Sequence, residues 1–309
     1  MSTDVAAALD SLAHLDGVAE AADRAREATT RLRWHEGLRR RWREARAEAA
    51  VRSAVATVAP EGVRADAARL RGLVAAGETA QPAGAGASAG GAEEALVLAA
   101  WRAQVHVGQM LGELGGRGRP PLVPSGELLA GLHRDLTAHL AGAGVLPPDA
   151  VGRPRTVDQP REGGPLDPPA TLRGGASATP APVGAELRAR TAAVLAVLAA
   201  DDTPALVRVG VVHGEIATLR PFVTANGLLA RAVARLLAVR SGLEPTGVAV
   251  LDAHAAARPG AYREALAAYA GGTPAGVAHW LRFQAESVVT GAEEGARVAT
   301  AVRAGRVDL

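Results

Sequence analysis

The chain predicts an all-α protein built from amphipathic helices, and three observations carry that prediction. Long stretches consist of Ala, Leu, Arg and Glu, which have high helix propensity, with apolar positions recurring at helical spacing. Hydrophobic residues make up 48% of the chain but aromatic residues only 3%, so the interior must be assembled from Leu, Val and Ala, which suits closely packed helices. Between residues 144 and 184, only GRPRTVDQ at 152–159 is strand-like, and proline interrupts it.

Composition narrows the function classes. With 309 residues the chain can hold one large domain or two small ones. Its 34 basic side chains are all arginine and face 32 acids, a balance that does not by itself imply a nucleic-acid partner. Without cysteine there is neither a disulfide framework nor a thiolate metal site. The opening MSTDVAAALDSLAHL lacks a basic region before an apolar core and is not read as a signal peptide. No run of about 20 uncharged apolar residues offers a membrane span. The expectation is a cytoplasmic protein with no membrane partner and no nucleic-acid partner.

In chain order, residues 3–52 predict one or two helices. Seven arginines between 31 and 46 surround Trp34 and Trp42. They read as a solvated helix face, with Glu36, Glu44 and Glu48 as local partners and the indole rings turned inward, in preference to a patch for nucleic acid or an acidic partner. Pro60 should end or bend the helix that precedes it. Residues 77–93 are a Gly/Ala/Ser linker. A helix follows over 93–114, then a breaker-rich turn, then a helix that Ser125 caps and that buries a leucine face. Residues 144–184 hold many Pro and Gly, with disorder expected over about 160–180. Further helices are predicted at 186–200, 205–219, 227–240, 259–270 and 277–290. The tail starts helical and then frays. The domain division is 1–76 for the N-terminal helices, 77–93 for the linker, 94–290 for the main domain and 291–309 for the tail.

The organising stretch is HGEIATLRPFVTANGLLAR, residues 213–231. It reads as helix, tight loop, helix, and the loop amides at the start of the second helix make a site for an anion. This stretch resembles the signature of the Fic family, His-Pro-Phe-x-[Asp/Glu]-Gly-Asn-Gly-Arg-x-x-Arg, whose members mostly transfer AMP from ATP to a protein hydroxyl. Pro221, Phe222, Asn226, Gly227 and Arg231 match it. Arg220 stands at the catalytic His, Thr224 at the magnesium carboxylate, Ala225 at the first loop Gly and Leu228 at the first phosphate Arg. His213 matches a common family His, and LHRDL at 132–136 looks like a helix that precedes the family's flap. Upstream, Thr57, Glu61 and Gly62 fit the family's inhibitory pattern [Ser/Thr]-x-x-x-Glu-[Gly/Asn], in which the Glu pairs with the second motif Arg, here Arg231. The resemblance implies an all-α Fic domain, an N-terminal helical extension and a short β-hairpin flap near 150–160 through which a target protein docks by strand addition.

It also implies damaged chemistry. A guanidinium at 220 stays protonated and cannot accept the target hydroxyl's proton. A hydroxyl at 224 is a poor sole ligand for magnesium, so that metal is not expected. Ala225 strains the loop if its φ is positive, and Leu228 removes one phosphate contact. Arg231 and the amides around Asn226 and Gly227 remain as a weak site for ATP or another nucleotide. Three functions follow: a degenerate Fic protein retaining nucleotide or protein binding, an active nucleotidyl or phosphoryl transferase with altered chemistry, or an interaction module working through the Arg/Trp-rich helix. His213, His133, His139, His254 and His279 read as structural, without metal-ligand spacing. Oligomerisation is left open.

Overall fold

The computed structural model describes residues 2–76, 89–114, 123–142, 146–156 and 181–306. These hold α1 (Ser2–Ala13), α2 (Val18–Arg33), α3 (Leu38–Val58), α4 (Ala67–Ala75), α5 (Ala89–Met110), α6 (Ser125–Gly142), α7 (Gly184–Ala199), α8 (Ala205–Leu219), α9 (Asn226–Arg240), α10 (Ala253–Ala257), α11 (Pro259–Ala270) and α12 (Pro274–Arg303). There is no strand among the described residues, so the expected hairpin is not seen over 150–156. Its remainder at 157–160, and the stretch expected to be disordered at about 160–180, lie outside them. Of the expected linker, 77–88 also lies outside, while Ala89 already starts α5.

The fold is arranged around α8 and α9, which pair along their length, and around α12, which runs beside α2, α11 and α3. The main core beneath α3, α5, α6, α8 and α9 is almost wholly Ala, Leu and Val, as the composition requires, with Phe222 its one fully buried ring. Four of the chain's eight Trp, Tyr and Phe residues gather instead in a second cluster between α8, α11 and α12: Tyr262, Tyr269, Trp280 and Phe283. Trp280 and Phe283 stack at 6.0 Å, and Trp280 Nε1 donates to Gly210 O at 2.8 Å.

Glycines set how closely these helices approach. A Cβ on Gly214 would lie 2.6 Å from the Tyr269 ring, whose hydroxyl is held by Glu215 at 2.9 Å. Gly214→Ala is therefore expected to lower stability by about 1–2 kcal/mol despite the better helix propensity of Ala, read as a lower urea midpoint. Gly291 and Gly295 let α12, which continues through the tail's expected helical start to Arg303, lie against the 248–250 backbone. A Cβ at either would lie 2.9 Å from a carbonyl of the 248–250 segment, and Val250 N donates to Gly291 O at 3.0 Å. They are points of close backbone contact inside a continuous helix.

A buried carboxylate ties two helices together. Glu48, fully buried on α3, accepts from Arg52 at 2.8 Å and from Arg71 at 2.7 and 3.0 Å, which ties α4 to α3. Burial pulls this carboxyl upward, but the two guanidiniums outweigh it and hold it below the usual glutamate range.

Candidate functional site

The loop between α8 and α9 is closed by its own sequence. Pro221 stops α8, and Arg220 turns out of the helix with φ 50° and ψ 64°. Asn226, 3% exposed, then clamps the loop: Phe222 N donates to its Oδ1 at 2.9 Å, and its Nδ2 donates to Phe222 O at 3.0 Å. Ala225 takes φ 60°, the left-handed conformation for which the sequence would favour glycine. Arg220 and Ala225 thus bracket the loop, each in a conformation that costs a non-glycine residue roughly 1–2 kcal/mol.

Two residues hold this strained loop, a histidine that the sequence reads as structural and an arginine that it does not single out. His133 of α6 stacks on Phe222 with ring centroids 4.1 Å apart. Its Nδ1 accepts from Gly152 N at 3.0 Å, which leaves Nε2 to donate to Thr224 O at 3.3 Å. Arg155, 6% exposed, caps the end of α8 with its guanidinium. Its Nε donates to Arg220 O at 2.6 Å, and its Nη2 to Leu219 O at 2.9 Å and Pro182 O at 2.8 Å. Its backbone N–H donates to Pro221 O at 2.9 Å. The 146–156 segment therefore fastens the loop through the Arg155 side chain and one backbone bond.

At the other end of the loop, the α9 N-terminus meets the turn that follows α3. Pro60 does end α3, at Val58, and a single turn of 3₁₀ helix over Ala59–Glu61 closes on Gly62 at φ 87°. This turn aims Glu61 at the helix start: a Cβ on Gly227 would lie 2.6 Å from Glu61 Oε1. Arg231, 2% exposed, meets the same carboxylate, its Nη2 donating to Glu61 Oε1 at 2.5 Å. Three more of its five donors are committed, Nε to Thr57 Oγ1 at 2.8 Å, Nη2 to Thr57 O at 2.8 Å and Nη1 to the Tyr262 hydroxyl at 3.2 Å. Burial alone would push the guanidinium down; Glu61 first, then Tyr262 and the buried Asp252 carboxylate, more than reverse this, and Arg231 is held above the ordinary arginine value. Thr57, Glu61, Gly227 and Arg231 are thus brought together. Arg220 and Thr224 lie in the loop and are engaged there through Arg155 and His133. Leu228, 2% exposed, packs into the main core.

His213 is structural in its surroundings: 4% exposed, edge-on to Trp280 at 5.0 Å, with Nε2 3.0 Å from the Tyr262 hydroxyl. Burial, helped by Arg231, pushes it down to about 3, and burial pushes His133 down to about 4. Both are neutral in the fold and ordinary in the unfolded chain, so the unfolded state binds more protons as pH falls below roughly 6.5. Stability is expected to be complete above that pH and to fall with acidification, by on the order of 4 kcal/mol for the two together between pH 7 and pH 5. Urea unfolding at both pH values checks this, and His213→Gln should remove about half of the difference.

No family model and no curated protein matches the chain. Solved structures do. A Fic family protein from Desulfovibrio desulfuricans G20 superposes with a TM-score of 0.61 at 17% identity, over 90% of this chain and 74% of that one. Fic-1 from C. elegans gives 0.60 at 19% identity, over 93% of this chain and 74% of that one. The chain has the Fic fold.

Proposed function

We propose that this protein is a Fic fold that does not transfer AMP, keeps its anion site filled with its own carboxylate, and serves as a binding or regulatory module. The observation that carries this is the commitment of Arg231 to Glu61, Thr57 and Tyr262, with the Glu61 carboxylate at the start of α9 where an anion would sit. A phosphate needs the same fork.

The donor set around the loop does not suit the cofactors that the fold suggests. Thr224 contributes no carboxylate, and no group of three or more His, Asp or Glu among the described residues can hold a metal. Arg220 has no lone pair with which to take up an attacking hydroxyl's proton. The surroundings of His213 argue against it as a substitute base, since its ring is buried and faces Tyr262 and Trp280. A target protein docking near 150–160 would meet the Arg155 segment, and a homo-oligomer is compatible with the same reading.

Calorimetric titration with ATP and ADP, with and without magnesium, tests the proposal. The wild-type protein is expected to give no binding heat. Glu61→Gly is expected to bind both nucleotides with little dependence on magnesium, because only Arg231 and the helix start would hold the phosphates. Tight magnesium-dependent ATP binding by the wild type would overturn the reading.

A further inference from the structure

We propose that the groove along the outer side of α3 docks an extended segment of another protein in which acidic and apolar side chains alternate. This does not depend on the state of the loop site. Two adjoining cavities, of about 590 and 790 Å³, share Trp42, Arg46, Leu111, Gly112 and Glu113. Together they follow α3 from Leu38 to Ala50. The helix kinks at Arg41, so this stretch spans at most about 18 Å, enough for about five extended residues.

The lining selects the occupant. The apolar floor includes Leu38, Leu111, Leu114 and Val239, and the exposed cations along it are Arg33, Arg39 and Arg43, with Arg46 deeper and bonded to the Thr246 and Gly112 carbonyls. The one acid of the lining, Glu113, is already paired with Arg43. Among the described residues neither Arg33 nor Arg39 has a carboxylate partner, and both are exposed. Trp34, expected to turn inward, is 72% exposed, with the Arg33 guanidinium 5.5 Å from its ring. A large apolar ring left in water beside unpaired cations marks a contact surface.

A single-stranded nucleic acid fits less well, since it needs successive open rings on which to stack. Trp42 already carries the guanidiniums of Arg43 and Arg46 at 4.4 and 4.7 Å. Trp34, though exposed, also carries a guanidinium, that of Arg33 at 5.5 Å, so the groove shows no run of open rings among the described residues, and the chain's net charge is only +2.

The test uses the full chain and a fluorescein-labelled peptide that alternates Glu with Leu and Phe, read by anisotropy at low and near-physiological salt. A peptide with Gln in place of Glu and an oligo-dT of equal charge serve as comparisons. The acidic peptide is expected to bind about tenfold tighter than either, and more weakly as salt rises. Arg33→Glu combined with Arg39→Glu should weaken it about tenfold with an unchanged melting temperature, since both side chains are exposed. Trp34→Ala should weaken it as well. Equal binding of the Gln peptide, retention by the double variant, or tighter binding of oligo-dT would each overturn the proposal, as would no binding of the acidic peptide.

Discussion

Glu61→Gly is expected to lower the stability of the fold by about 2–4 kcal/mol, because it takes from a buried guanidinium its hydrogen-bonded counter-charge and leaves only the buried Asp252 carboxylate nearby. Arg231 is 2% exposed, so water entering the space that Glu61 leaves replaces the carboxylate only in part. The same variant should regain stability when inorganic phosphate or ATP is added, since an anion that binds only the folded state stabilises it by mass action. The wild type should show no such response, because its own carboxylate holds the site. Glu61→Gln should lie between the two, keeping one acceptor and losing the charge. Thermal unfolding with and without phosphate reads all three. A wild type stabilised by phosphate as much as Glu61→Gly would show that Glu61 does not compete for the site.

Arg155→Met is expected to cost about 3–5 kcal/mol, comparable to the loss at Glu61. Three carbonyls, at Pro182, Leu219 and Arg220, lose their guanidinium donor at once. Two belong to the end of α8, where the helix dipole favours a cation and Arg220 already holds a left-handed backbone. Arg155→Lys should recover only part of the loss, since one ammonium cannot reach all three oxygens in the geometry of a planar fork. Equilibrium unfolding gives the magnitude, and amide exchange at 219–222 should rise in the Met variant before global unfolding. Unchanged exchange there would mean that Arg155 does not hold the loop.

Much of this architecture was legible in the sequence because its signals are local. Ala205–Leu219 forms as its apolar spacing predicts and Pro221 ends it, while Pro259–Ala270 forms where the Fic resemblance implies a helix. The Glu61–Arg231 contact was reachable only through the Fic resemblance, since 170 residues separate the partners. Arg155 was not legible: it sits in a Pro- and Gly-rich stretch and acts on carbonyls across the fold, which leaves no periodic trace. The outward turn of Trp34 was hidden for another reason. Residues 31–46 were read as one helical face, but α2 stops at Arg33 and α3 begins at Leu38. The turn between them resets the helical phase. Gly37 is needed there, because a Cβ would lie 2.4 Å from Ala299 O.

The most direct measurement of the central claim is adenylyl transfer from labelled ATP with magnesium, using purified Glu61→Gly protein and a lysate as acceptor. Removing Glu61 separates a blocked site from one that lacks its chemistry. With a guanidinium at 220 and a hydroxyl at 224, no label should reach protein even though the nucleotide can bind. Transfer that Arg231→Ala abolishes would contradict the account.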